Sequence, residues 1–308
     1  MEFLIQTLLL AVGFVMLVKG ADWFVDGAAG IATKFKIPQI VIGLTIVAMG
    51  TSAPEAAVSI TSALKGNAGI TIGNIVGSNI LNILIILGLS AVVTPLAVVK
   101  STIKIDIPVM IAITGILLWM GYDGTVALWE GIVLLLIFAS YIGYLMYVAF
   151  KERKENDEEV KEISVLKALV WTLVGLVLIV WGSDVTVDAA TKIATILGLS
   201  ERFIGLTIVA LGTSLPELFT SVMAARKGNA DIAIGNIVGS NIFNILFVVG
   251  LSALVIPVPF LEGFRFDMMV AMAAAILLFL CVLKNQKLNR WAGILMLASY
   301  AAYFAVIL

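Results

Sequence analysis

The chain has 308 residues, 61% of them hydrophobic and only 13% charged, with a net charge of −1. Soluble domains carry about 45–50% apolar and about 25% charged residues, so there is too little polar side chain here to cover a water-soluble fold. The absence of histidine and the presence of a lone cysteine, Cys281, exclude a Ser-His or Cys-His dyad, a thiolate metal site and an internal disulfide.

Ten membrane-spanning helices are predicted, at residues 2–19, 38–64, 70–95, 104–120, 127–149, 165–182, 203–225, 232–256, 267–283 and 291–307. Each is close to the roughly 20 apolar residues that cross a bilayer. The first begins with Glu2 and no basic cluster, so it reads as a retained span and not as a cleaved leader. It runs on through Gly20–Phe35 as a long tilted helix, and the sixth does the same through Gly182–Leu197. The second span carries GLTIVAMGTSAPE at Gly43–Glu55. Pro54 lacks an amide hydrogen and frees the carbonyl of Gly50, so the Gly-Thr-Ser run should open the helix there. The third carries GNIVGSNILN at Gly73–Asn82, with Asn74, Ser78 and Asn82 on one helix face. The fourth and fifth are nearly continuous apolar runs. Lys151–Glu162 (KERKENDEEVKE) is the only strongly charged stretch and reads as a solvated tether. The seventh span repeats the second, with GLTIVALGTSLPE at Gly205–Glu217 and Pro216 freeing the carbonyl of Gly212. The eighth repeats the third, with GNIVGSNIFN at Gly235–Asn244 and a stripe of Asn236, Ser240 and Asn244.

Gly43 recurs as Gly205 and Gly73 as Gly235, so both motif pairs keep one repeat offset without a gap. The chain therefore divides into a first five-helix repeat at 1–150, a charged cytoplasmic linker at 151–164 and a second five-helix repeat at 165–308. Five spans is an odd number, so the second copy enters the membrane inverted. Inverted repeats with discontinuous helices at their interface are a recurring design in secondary transporters. Most of the 19 lysines and arginines fall in the loops on the linker side, while the opposite loops hold only Lys65, Lys192, Arg202 and Arg265. The positive-inside rule then places both termini outside.

Glu55 and Glu217 are the costly residues. A charge at the bilayer centre costs about 2.5–3.5 kcal/mol on insertion scales, and this chain carries one at the same place in each repeat. Freed carbonyls, hydroxyls and carboxylates form a set of hard oxygen donors, the coordination that calcium and sodium prefer. Gly73 and Gly77, like Gly235 and Gly239, give a small-xxx-small spacing for close helix packing. Asp22 and Asp26 recur at the repeat offset as Asp184 and Asp188, but all four lie beyond the apolar runs and read as interfacial helix ends, not ligands.

The GTSAPE and GTSLPE motifs, each followed by GNIVGSN and an Asn, resemble the α-repeats of the sodium/calcium exchanger family within the cation/calcium antiporter superfamily. The resemblance covers nearly the whole chain. It implies that Glu55 and Glu217 share the calcium ion, with Thr51 and Thr213 contributing backbone carbonyls. It further implies that sodium uses Ser52, Ser214, Ser78 and Ser240 with the carbonyls of Ala48 and Ala210, and that Asn82 and Asn244 line the centre. Some potassium-dependent branches carry Asp where this chain has Asn244, so Asn244 argues against potassium co-transport.

The expected protein is thus an all-α integral membrane antiporter of ten helices, not an enzyme. It would move Ca2+ against several Na+ by alternating access, with no cofactor, no nucleic acid and no obligatory protein partner. A prokaryotic cytoplasmic membrane is the expected setting, because the central loop is too short for a regulatory domain. Two alternatives are a Ca2+/H+ antiporter using the same glutamates and, remotely, an intramembrane carboxylate enzyme.

Overall fold

A computed structural model describes residues 2–155, 164–197 and 210–307. The first half contains α1 (Glu2–Phe35), α2 (Gln39–Thr51), α3 (Ala53–Leu64), α4 (Gly69–Val93), α5 (Thr102–Asp123) and α6 (Leu128–Glu155). The second contains α7 (Val165–Ile196), α8 (Ala210–Gly212), α9 (Leu215–Arg226), α10 (Ala230–Val255), α11 (Glu262–Leu283) and α12 (Arg290–Ile307). Among the described residues, eight helices are long and apolar enough to cross a membrane, and α2 with α3 makes a ninth that bends by 50°. The expected seventh span at 203–225 starts outside the described residues, and α8 and α9 are the part of it that is seen. Most of the Lys151–Glu162 tether also lies outside them, although α6 continues the fifth span into it as far as Glu155.

Burial sorts the helices into two layers. The most apolar windows of α4 and α10 are 78% and 83% buried, against 22% for α1 and 17% for α12. The repeated GNIVGSN helices are therefore the axis of the bundle. Around them, Leu4, Leu136, Trp291 and other large apolar side chains face outward. In water such a surface would be an aggregation liability, whereas a bilayer leaves it in a matched solvent.

The two long helices α1 and α7 pack along each other through glycines. A Cβ added to Gly13 would meet Gly182 and Thr186; one on Gly20 would meet Gly175; one on Gly27 would meet Ala168 and Thr172. Rising numbers on α1 meet falling numbers on α7, so the two helices are antiparallel. Small residues are the expected solution where lipid removes the hydrophobic drive between helices and close van der Waals contact must replace it. The Gly235 and Gly239 stripe is used in the same way, against Gly43, Leu44 and Ala48.

Extended segments depart from the all-α expectation. Strands β1 (Leu96–Ala97), β2 (Thr125–Val126), β3 (Val258–Pro259) and β4 (Lys287–Leu288) form two antiparallel pairs, β1 with β4 and β2 with β3. Leu96 lies opposite Leu288, and Val126 opposite Val258. Each ribbon joins one half of the chain to the other, and the repeat offset converts one register into its counterpart. Two-residue strands have no periodicity to detect, which is why the sequence did not reveal them.

Gly175 is one of the tightest points of the α1–α7 seam, where an added Cβ would come within 2.5 Å of the Phe24 backbone nitrogen. Gly175→Val should therefore lower the thermal midpoint in detergent, because overpacking of this kind costs about 1–3 kcal/mol or more. Gly143→Val, where nothing among the described residues lies within 4 Å, should leave it unchanged. Equal midpoints for the two variants would refute the seam.

Candidate ion-binding site

The site is assembled where the two broken helices meet the two axial ones. Helix α2 ends at Thr51, Ser52 adopts φ −81° and ψ 8°, and α3 starts again with Pro54 in its first turn. Ser214 repeats this with φ −90° and ψ 4°, and Pro216 stands in the first turn of α9. The predicted opening of both helices is thus present at the Thr-Ser step. Each proline sits where a missing amide hydrogen is harmless, and Glu55 and Glu217 fall one residue later, in the first helical turn, where the helix dipole favours an anion. The carbonyl expected to be freed at Gly212 accepts a hydrogen bond of 2.7 Å from Ser183 Oγ on α7.

Both glutamates are 1% exposed. Their partners are exchanged between the halves: Ser52 Oγ donates to Glu217 Oε1 at 2.8 Å, and Ser214 Oγ donates to Glu55 Oε1 at 3.2 Å. Ser214 also lies 3.4 Å from Ser78 Oγ. Thr51 Oγ1 donates to Asn236 Oδ1 at 2.9 Å and contacts the Ala48 carbonyl at 3.3 Å, to which Ser240 Oγ also donates. The second oxygen of each glutamate, Oε2, is buried and accepts nothing from the described residues. The amide oxygens of Asn82 and Asn244 are in the same condition.

Asn82 and Asn244 open π-helical turns, Asn82–Leu87 and Asn244–Val249. The wider turn leaves carbonyls out of the regular ladder and is characteristic of functional sites. Helix α3, which carries Glu55, packs on the turn that starts at Asn244, and α9, which carries Glu217, packs on the turn that starts at Asn82. Ten of the twelve residues singled out from sequence, Ala48, Thr51, Ser52, Glu55, Ser78, Asn82, Ser214, Glu217, Ser240 and Asn244, are therefore buried at or beside the two breaks. Thr213 lies in the turn that precedes Ser214, and Ala210 stands at the edge of the described residues.

Sequence reading missed two of the residues that hold this arrangement, Asn79 and Asn241. Asn82 Nδ2 donates to Asn241 Oδ1 at 2.9 Å and Asn244 Nδ2 to Asn79 Oδ1 at 3.1 Å, while Asn79 and Asn241 donate to each other's backbone carbonyls at 3.3 and 3.2 Å. The four amides form a crossed knot between α4 and α10. Asn74 and Asn236 also hold the chain behind the glutamates, donating to the carbonyls of Glu55 and Glu217 and to Ser59 and Ser221. Asn79 and Asn241 do recur at the repeat offset, but they lie one step off the stripe of Asn74, Ser78 and Asn82 on which attention falls.

Among the described residues no three of His, Cys, Asp and Glu come together. The donor set is two carboxylates in a surround of neutral oxygens. That set suits an oxygen-seeking cation. Fold and site together define a membrane transporter of cations.

Comparison with known proteins agrees. The chain matches the family described as sodium/calcium exchanger protein over residues 5–147 and 167–308, and it belongs to that family. It is 39% identical to the putative antiporter CaxA of Alkalimonas amylolytica over 97% of this chain and 98% of that one. It is 34% identical to the sodium/calcium exchanger MaX1 of Methanosarcina acetivorans, covering 98% of each. Its fold superposes on the sodium-calcium exchanger NCX_Mj soaked with Na+ and Sr2+ with a TM-score of 0.87 and 36% identity, over 98% of this chain and 99% of that one. The chain is an integral membrane transporter and not an enzyme, and the intramembrane-enzyme alternative is set aside.

The amide knot has a measurable signature. Asn79→Ala and Asn244→Ala should each lower stability by about 1–3 kcal/mol, the cost of a buried polar group left alone. Both act on one hydrogen bond, so the double variant should lose less than the sum of the two. Additive losses in thermal unfolding would count against the knot.

Proposed function

We propose that the protein is an antiporter that exchanges one Ca2+ for several Na+ by alternating access. Its ten helices would be arranged as two inverted five-helix repeats, at 1–150 and 165–308, joined by the cytoplasmic linker 151–164. Supporting the inversion are the antiparallel α1 and α7, the paired ribbons and the crossed amides, all related by the same repeat offset. Supporting the ion pair are the family membership and the relatives named as sodium/calcium exchangers. In this reading both termini face outward, as the lysine and arginine bias requires.

One observation carries the reading: Glu55 and Glu217, each held at one oxygen by a serine from the opposite repeat, keep their second oxygens buried and unengaged. In a buried site these two oxygens and the amide oxygens of Asn82 and Asn244 would take a divalent cation. The backbone carbonyls of Thr51 and Thr213 would complete the calcium shell, and the carbonyl of Ala48, its counterpart at Ala210, and the hydroxyls of Ser52, Ser214, Ser78 and Ser240 offer neutral positions for monovalent ions. Two ionised glutamates give the empty site a charge of about −2. Moving that charge unpaired through a low-dielectric bundle is strongly unfavourable, so only the loaded carrier switches, and transport is an exchange. If more than two Na+ replace one Ca2+, each cycle moves net charge, and the membrane potential contributes about 2.3 kcal/mol per charge per 100 mV.

Reconstituted protein in sodium-loaded vesicles should accumulate calcium-45 when sodium is removed outside, and faster when the potential drives sodium charge outward. Uptake that follows only a pH gradient would replace sodium by protons as the counter-ion. Glu55→Gln and Glu217→Gln should each slow exchange by roughly 100-fold or more, since removing one member of a buried charged cluster costs about 3–5 kcal/mol. Wild-type rates in both would refute the carboxylate assignment.

A further inference from the structure

Outside the site, an ion cluster joins the two halves where α9 ends beside α1. Lys227 Nζ, just after α9, lies 2.6 Å from Asp22 Oδ1 and 2.6 Å from Asp26 Oδ1 on α1, and it donates to the Asp22 carbonyl at 2.8 Å. The repeat offset converts Asp22, Asp26 and Lys227 into Asp184, Asp188 and Lys65. Every member of a second ion cluster is therefore present in the chain. In this structure it is open: Lys65, Asp184 and Asp188 are exposed, and no ion pair joins Lys65 to either aspartate.

The surrounding packing differs in the same sense. Helix α1 lies along α9, but its counterpart α7 stands away from α3, the counterpart of α9. In the gap is a cavity of about 440 Å³ lined by Pro54, Val58, Asp184, Asp188, Gly212 and Thr213, reaching from the open cluster to the break of the second repeat. The corresponding residues by the closed cluster include Val25, Thr51 and Thr220, all at 0% exposure, and Phe219, whose ring meets that of Phe14 with centroids 6.1 Å apart. One approach toward the site is thus packed shut, and its symmetry mate holds a cavity that ends at Gly212 and Thr213, short of the buried glutamates.

We infer that Lys227 with Asp22 and Asp26, and Lys65 with Asp184 and Asp188, are alternating cross-repeat latches, each formed only when the path on its own side of the site is closed. Exchanging the conformations of two inverted repeats turns this structure into one with Lys65 latched and Lys227 released. The five-way match of sequence offset, ion pair, helix approach, cavity and burial argues for a latch and against a chance surface ion pair. An exposed pair contributes roughly 0.2–1 kcal/mol. That is too small to lock the carrier and large enough to bias a balanced two-state equilibrium. The latches position the moving helices and do not touch the ion.

The inference rests on the alternating-access part of the proposed function, and it is tested by labelling, which needs no transport. A Cys281→Ser protein carrying Val58→Cys, in detergent micelles where both faces meet the reagent, reports the open path through its rate with a polar maleimide. Lys227→Gln releases the closed latch and should slow labelling by up to about threefold. Lys65→Gln disfavours the opposite state and should leave labelling as fast as in the parent or faster. Lys65→Arg and Lys227→Arg keep the charge and should match the parent. Equal rates in all variants, or slowing by both Gln variants alike, would overturn the latch. Calcium-45 exchange by the unsubstituted protein is scored separately, so a failure of the exchanger reading is distinguishable from a failure of the latch.

Discussion

Two carboxylates held in the middle of an apolar bundle are the constraint on which this structure depends. Neither can be tolerated on a regular helix packed against lipid, where an uncompensated charge costs several kcal/mol. The chain answers with a helix break at each: Pro54 and Pro216 restart a helix directly before Glu55 and Glu217, so both acids sit in the first turn, at the positive end of the helix dipole. The remaining compensation comes from the other half of the protein, through Ser52 and Ser214. Because each repeat completes the acid of the other, neither half builds the site alone.

This mutual dependence explains the distribution of symmetric and asymmetric features. What must stay together is tied in matched pairs: the amide knot of Asn79, Asn82, Asn241 and Asn244 at the axis and the two ribbons at the ends. The outer packing and its charges are not matched. Helix α1 is close to α9 while α7 stands off α3, and Lys227 is latched while Lys65 is not. The glycine seam between α1 and α7 packs these two helices closely along one another, the small residues letting the backbones approach.

The repeat, the broken helices and the candidate ligands were legible because they rest on strong local chemistry: prolines next to acids in oily segments, repeated at one spacing. The elements that were not legible depend on tertiary context. Ribbons of two residues leave no pattern, and π-turns at Asn82 and Asn244 look like ordinary helix in sequence. A buried acid–tyrosine pair shows the limit clearly. Tyr141 donates to Asp106 and Tyr303 to Asp267, each at 2.9 Å. The tyrosines keep the repeat offset but the aspartates do not, because Thr102–Asp106 is π-helical and holds an extra residue that the regular α11 lacks. A search at fixed spacing finds the tyrosines and passes over the acids.

The identity of the central amides follows from the same geometry. Position 244 has two tasks, since its Nδ2 donates to Asn79 while its Oδ1 remains buried and unengaged beside the helix of Glu55. An aspartate there has no hydrogen to donate. Its second oxygen would face the Asn79 oxygen at a distance now occupied by a hydrogen bond, and the knot would lose one of its cross-links. The charge of an empty site would also rise from about −2 to about −3, which one divalent cation could no longer neutralise. In the proposed exchanger, holding the axis together and keeping the site's charge matched to one calcium would therefore be a single requirement on this residue. By the repeat offset the same holds for Asn82, whose Nδ2 is committed to Asn241. The neutral centre thus belongs to the way the two halves are fastened as much as to the choice of ion.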